Sequence, residues 1–162
     1  MTLAWLNALP DPDARRELLA CLAAPRWAAE LAAARPYESR AALAGKAAKA
    51  LDDLDWAEVE QALAAHPRIG DRPRGTDRES AWSRGEQAGV TGAADELREA
   101  NLAYERRFNR VFLICATGKS GPEILAAVRA RLDNDEETER QVVRAELGKI
   151  ADLRLTKLLE RP

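Results

Sequence analysis

Three capping signatures constrain this chain before anything else does. Ser39 precedes the alanine-rich stretch 40–54, Asp55 is followed three residues on by Glu58, and Ser120 is followed three residues on by Glu123, with Pro122 between. A side-chain oxygen just ahead of an apolar run, with a carboxylate three residues later, satisfies amide groups that the first turn of a helix leaves open. Each signature leads into apolar residues spaced three and four apart, the period of one helix face. Ala, Leu, Arg and Glu dominate and aromatic residues make up only 5%, which favours helix over sheet.

The same logic runs along the chain. Thr2 caps a short helix to Leu9, which Pro10-Asp11-Pro12 breaks. Asp13 to Ala23 places Ala14, Leu18, Leu19 and Leu22 on one face, and Pro25 opens a helix through Trp27 and Leu31 to Ala34. A helix from Arg40 to Leu54 follows. The next, capped by Asp55, turns Trp56, Val59, Ala62 and Leu63 inward and ends at His66, because Pro67 comes next. Pro67 to Asp77 has two prolines and two glycines, no periodicity, and reads as a loop. Ser80 to Gln87 is a short helix. Ala93 to Ala116 reads as the longest, with Leu97, Ala100, Asn101, Tyr104 and Phe108 inward. Its end, Val111 to Ala116, is apolar all round; periodicity does not separate a buried helix end from a buried strand, and helix is favoured because no partner strand exists elsewhere. Ile124, Leu125, Val128 and Leu132 form the core face after Ser120, and a last helix runs from Asn134-Asp135 to about Leu159. The expectation is an all-α fold: a single compact domain, residues 1–162, of roughly seven to nine helices.

Charge and cysteine content narrow the function. With 25 basic and 27 acidic side chains the formal net charge is −2, which argues against broad electrostatic binding to nucleic acid or an anionic membrane. The longest apolar run is far too short to span a bilayer. Cys21 and Cys115 each sit in an apolar run and read as buried free thiols, with no disulfide framework. The N-terminus lacks a basic leader and the C-terminus a peroxisomal tripeptide, so cytoplasm is the expected location. One histidine and two distant cysteines argue against a zinc site, and no phosphate loop or dinucleotide fingerprint occurs. No metal and no cofactor are expected.

Two polar clusters remain. His66, the only histidine, sits at a helix end ahead of the loop; it can exchange a proton near neutral pH or simply face a helix dipole. Ser83, Glu86 and Gln87, at i, i+3 and i+4, place a hydroxyl, a carboxylate and an amide on one face. That set suits a small nitrogen-rich molecule, although a solvated helix face has the same pattern. Arg68, Arg72, Arg74 and Arg78 can hold a carboxylate or stand as surface charge. Arg106, Arg107 and Arg110 admit a local nucleic-acid patch. Arg154, between Leu153 and Leu155, reads as partly buried and paired.

Taken in order, His66-Pro67-Arg68-Ile69-Gly70, then Trp82-Ser83-Arg84-Gly85-Glu86-Gln87-Ala88-Gly89, then Asn101-Leu102-Ala103-Tyr104-Glu105-Arg106-Arg107-Phe108, then Val111-Phe112-Leu113-Ile114-Cys115-Ala116 resemble the OHCU decarboxylases. The likeness spans nearly the whole chain. These enzymes decarboxylate 2-oxo-4-hydroxy-4-carboxy-5-ureidoimidazoline to (S)-allantoin, the last step from urate. The resemblance implies an all-α homodimer that works without cofactor, with His66 as proton donor and Pro67 as a substrate contact. It implies a binding segment at Ser83, Arg84, Gly85, Glu86 and Gln87, and main-chain contacts from Phe112, Leu113, Ile114, Cys115 and Ala116. Arg154, in a Leu-Arg-Leu context, matches a family arginine. Asn109-Arg110 stand where members usually carry Gly and then Phe or His, and the spacer after Gln87 is shorter than in animal members. Two rivals to an enzyme are a non-catalytic helical binding module on the same scaffold and a small helical nucleic-acid binder.

Overall fold

The computed structural model describes residues 2–71 and 75–160. Among the described residues there are nine helices and no strand, so the all-α expectation holds. Packing groups the chain into two compact units: Met1–Ala65 with Leu147–Pro162, and His66–Glu146.

The first unit contains α1 (Leu3–Ala8), α2 (Asp11–Cys21), α3 (Pro25–Ala33), α4 (Arg40–Asp52), α5 (Trp56–Leu63) and the last part of α9 (Glu136–Glu160). The expected caps are present. Thr2 Oγ1 accepts the Trp5 amide at 3.2 Å and Ser39 Oγ the Ala42 amide at 3.0 Å. Asp55 and Glu58 make the reciprocal capping box. The expected break is present at Leu9 and Pro10, and α2 starts two residues earlier than expected, at Asp11: Pro12 lies in its first turn, where a missing N–H costs nothing, and Asp11 and Asp13 face the positive helix end. Leu19, expected in the core, is exposed. Trp27 is fully buried, and its indole nitrogen donates to the Ala47 carbonyl at 3.0 Å. Helix α5 stops at Leu63, three residues before His66. The physical reason is Pro67: its ring would clash with the carbonyl of residue 63 and it disfavours helical backbone at residue 66.

The second unit contains α6 (Arg78–Glu86), α7 (Ala94–Phe108), α8 (Gly121–Arg131) and the first part of α9. Helix α6 begins two residues earlier than expected because Asp77 is the cap, its Oδ2 accepting the Ser80 amide at 2.9 Å. Leu97, Ala100, Asn101, Tyr104 and Phe108 are buried along α7, as the periodicity predicts. Tyr104 packs against Phe108 and, edge-on, against Phe112, with ring centroids 4.7 and 5.2 Å apart. Such ring pairs are worth about 0.5–1.5 kcal/mol beyond the area they bury.

Helix α7 is not the longest and does not reach Ala116. It ends at Phe108, and α9 is longer, with 25 residues. Asn109 adopts the left-handed conformation (φ +55°), and its amide donates to the Glu105 carbonyl at 2.8 Å. One left-handed residue terminates a helix. Val111 to Ala116 then run as non-helical chain, half-buried at Val111 and buried from Phe112 on. The α8 start sits hard against the turn before α7: the Gly121 amide donates to the Thr91 carbonyl at 2.9 Å. A β-carbon at Gly121 would run into the carbonyl oxygens of Gly92 and Thr91, so only glycine fits.

Candidate functional site

The second unit contains three pieces of the expected site: the His66 loop, the end of α6, and the segment Phe112–Ala116. The loop is pinned at successive residues. Ile69 is buried, and its carbonyl accepts from Asn101 Nδ2 on α7 at 3.0 Å. The amide of Gly70, which has φ +98°, donates to Gln87 Oε1 at 2.9 Å. Arg68 forks onto Glu105, with Nε–Oε1 at 2.7 Å and Nη2–Oε2 at 3.1 Å. These bonds fix the loop that carries His66 and Pro67, both half-buried.

The end of α6 is not a solvated face. Ser83, Glu86 and Gln87 are 6%, 8% and 3% exposed, which removes the surface reading of that cluster. Arg84 is half-buried and donates to the Gly75 carbonyl at 2.7 Å, and Gly85 is exposed. Arg78 lies over the Trp82 ring at 5.1 Å.

All five residues from Phe112 to Ala116 are buried. Distant side chains serve their backbone: Arg131 Nη1 donates to the Leu113 carbonyl at 2.7 Å, and the Cys115 amide donates to Glu146 Oε1 at 3.2 Å. Among the described residues, the main-chain groups of Phe112 and Ile114 take part in no hydrogen bond. A buried amide or carbonyl without a partner costs about 1–3 kcal/mol, so such groups mark a place where a ligand or water is expected. Arg131 is itself held. Its Nε donates to Glu139 Oε1 at 2.7 Å, and Glu139 also accepts from the Tyr104 hydroxyl at 2.7 Å and Asn134 Nδ2 at 2.9 Å. Burial pushes the Cys115 thiol up from its ordinary value; Thr117 opposes this, and the charges of Glu146 and Glu86 add to it. The Glu86 charge therefore reaches the Cys115 thiol, although the two residues are far apart in sequence.

A cavity of about 220 Å³ opens beside the loop, lined by residues that include Arg68, Gly70, Asp71, Gln87, Leu97, Arg98 and Asn101. Of the candidate residues, Gln87 and the loop arginine Arg68 line it. Arg154 belongs to the first unit, where it is 5% exposed and donates to the Ala20 carbonyl at 3.4 Å. Arg72 and Arg74 lie outside the described residues. Two of the three arginines in the nucleic-acid reading are engaged within the chain: Arg107 donates to the Asn134 carbonyl at 2.6 Å, and Arg110 pairs with Glu136 at 2.8 and 3.2 Å. Among the described residues, no helix is long and apolar enough to cross a membrane and no group of three His, Cys, Asp or Glu side chains is placed to hold a metal ion.

A family model described as OHCU decarboxylase matches residues 7–156. The chain belongs to the OHCU decarboxylase family. It is 33% identical over 144 residues to a 2-oxo-4-hydroxy-4-carboxy-5-ureidoimidazoline decarboxylase of Amia calva, covering 85% of this chain and 82% of that one. It is 28% identical over 158 residues to the protein of that name in Haloferax volcanii, covering 96% and 94%. Among solved structures it is similar to an OHCU decarboxylase crystallised in the presence of (S)-allantoin, with a TM-score of 0.76 at 26% identity, covering 90% of this chain and 98% of that one.

Against that family, the Asn109-Arg110 departure has a structural answer. Asn109 occupies a left-handed position, where glycine is freest and asparagine is the best-tolerated substitute. Arg110 stacks over Phe108 at 5.2 Å while pairing with Glu136. Asn101, Arg131 and Glu146 are absent from the site that the sequence suggests. In sequence Asn101 reads only as an inward residue of α7, though a polar side chain on an apolar stripe is itself a signal of a buried hydrogen bond. The same signal applies to Glu139 and Glu146, which interrupt the apolar face of α9.

Proposed function

We propose that this chain converts 2-oxo-4-hydroxy-4-carboxy-5-ureidoimidazoline to (S)-allantoin and CO2, as a carboxy-lyase of urate breakdown. The observation that carries the reading is the Gln87 Oε1 bond to the Gly70 amide, which joins the buried Ser83, Glu86 and Gln87 to the loop of His66, in a chain of this family. In the reaction the bond between the ring carbon and its carboxylate breaks, its electron pair forms a double bond to the ureido-bearing carbon, and the imine nitrogen takes the displaced π pair together with a proton from solvent. The hydroxyl on that carbon loses its proton and becomes a carbonyl. A proton then arrives at the ureido-bearing carbon on one face and sets its chirality.

His66 delivers that proton, and Glu86 orients His66 or the substrate hydroxyl. Gln87 and the Phe112–Ala116 backbone hold the ring and ureido amides, and Pro67 packs against the ring. Holding the carboxylate out of the ring plane aligns its bond with the accepting π system, and orientation of this kind can supply several kcal/mol of a barrier. The reading takes residues 1–162 as one functional domain. It takes the protein to be a cytoplasmic homodimer that needs no cofactor.

A circular-dichroism time course tests this. Substrate is generated freshly from urate and followed with and without the protein. The expected result is optically active (S)-allantoin, formed faster than the spontaneous racemic decay. Racemic product at every protein concentration overturns the proposal.

A further inference from the structure

We propose that Glu146 and Arg131 are positioning residues: they hold the segment Phe112–Ala116 in the one register that turns the main-chain groups of Ile114 toward a ureide. The identity of the ligand rests on the decarboxylase reading above; the positioning itself rests on geometry.

The bonds along the segment alternate. Leu113 is held through its carbonyl by Arg131 and Cys115 through its amide by Glu146, while Phe112 and Ile114 make no hydrogen bond among the described residues. Alternation with period two is what an extended backbone produces, since successive residues direct their N–H and C=O to opposite sides. One side of the segment is therefore engaged by side chains and the other presents a donor and an acceptor from the same residue. That pair matches a urea or ureido group, which offers a carbonyl and an N–H at similar spacing, much as an edge strand offers its groups to an added strand.

The two clamps bracket Ile114. Fixing the carbonyl of residue 113 and the amide of residue 115 leaves the peptide groups of residue 114 little freedom to turn. Neither clamp is loose. Arg131 and Glu146 are 7% and 6% exposed. Arg131 packs over the Phe112 ring at 4.4 Å, and its partner Glu139 is fully buried and bonded to Tyr104 and Asn134. The register of the segment is thus tied to α7, α8 and the start of α9 together.

The test uses the full chain and three proteins: wild type, Glu146→Gln and Glu146→Leu. Glutamine keeps an acceptor oxygen for the Cys115 amide but no charge; leucine keeps neither. Two readouts are taken. The first is kcat, KM and the optical purity of the allantoin formed. The second is the amide shift of Ile114 on titration with (S)-allantoin, read in protein labelled with nitrogen-15 at isoleucine, of which the chain has four.

Glu146→Leu is expected to raise KM by about tenfold or more, lower the optical purity and abolish the Ile114 shift; Glu146→Gln is expected to rescue most of all three. A merely structural Glu146 would lower the folded fraction, and with it kcat, while KM and purity stayed put; that pattern overturns the proposal. So does Glu146→Gln failing as badly as Glu146→Leu, which would make the charge, not the bond, the essential feature. If Glu146→Leu does not fold, the Ile114 amide decides: no shift with allantoin in the wild type and Glu146→Gln overturns the proposal. Racemic product from the wild type instead removes the decarboxylase reading. The Ile114 shift then still reports whether the clamped edge recognises a ureide.

Discussion

Gln87 Oε1 accepts the main-chain N–H of Gly70 at 2.9 Å, tying the last residue of the α6 motif to the loop that carries His66. In sequence Gln87 reads as a substrate contact alone. Its side chain is also a strut, and substitution acts on the loop as well as on the ligand. Gln87→Ala is expected to lower kcat/KM by about tenfold or more and to speed hydrogen exchange at Gly70. Gln87→Glu keeps the acceptor and should restore the slow exchange at Gly70 even if activity stays low. Unchanged exchange in Gln87→Ala would show that the bond does not hold the loop.

Glu86 is buried, so an alanine there leaves a cavity as well as removing a charge. The informative variant is Glu86→Gln, which keeps the volume. It is expected to abolish stereoselective turnover while the melting temperature moves by only about 4 °C or less, the shift of a ~1 kcal/mol change. The Glu86 charge helps push the Cys115 thiol up, so its removal should also lower the Cys115 pKa. Thiolate absorbance against pH, in a Cys21→Ser background, checks this.

His66 is the chain's only histidine, so its imidazole is observed without overlap. His66→Asn is expected to remove the enzymatic rate and the stereoselectivity together, with helical content intact. Substantial stereoselective turnover in that variant would mean the proton comes from another group.

Asn109 sits at φ +55°, a region that costs an ordinary L-residue about 1–2 kcal/mol. Asn109→Gly should therefore leave stability nearly unchanged, while Asn109→Val should lose about that amount in urea denaturation. The pair Asn109→Gly with Arg110→His is expected to keep activity within about tenfold, roughly 1.4 kcal/mol on the barrier. A much larger gain would mean that Arg110 holds this chain in a less active form.

Both tyrosines are pushed up to about 12: Tyr37 by burial, Tyr104 by burial and then by the Glu139 carboxylate that accepts its hydroxyl. Below pH ~10 they are neutral in the folded and the unfolded chain alike, and their full contribution to stability is present. Between about 10 and 12 only the unfolded chain ionises, so stability is expected to fall with rising pH through that window. Tyrosinate absorbance should show no step near pH 10 in the native protein and a step near 10 in urea. A native step at 10 would place both hydroxyls in water.

What can be read without the structure is local. Ser39, Asp55 and Ser120 cap helices because each bonds an amide three residues away, and the inner face of α7 follows from a period of 3.6 residues. Such interactions are encoded within one turn of chain. The motif residues at 66–70, 83–87 and 112–116 are equally visible as types in order. The backbone at 111–116 is not. The helical expectation there fails because Asn109 takes a left-handed turn and because the groups that satisfy Leu113 and Cys115, Arg131 and Glu146, come from 18 and 31 residues further on. Nor does the sequence show that Glu86 and Gln87 are buried, or that Asn101, 32 residues away, holds the Ile69 carbonyl. A buried polar group is stable only when a partner reaches it, and which partner reaches it depends on how distant segments pack; no local pattern carries that information.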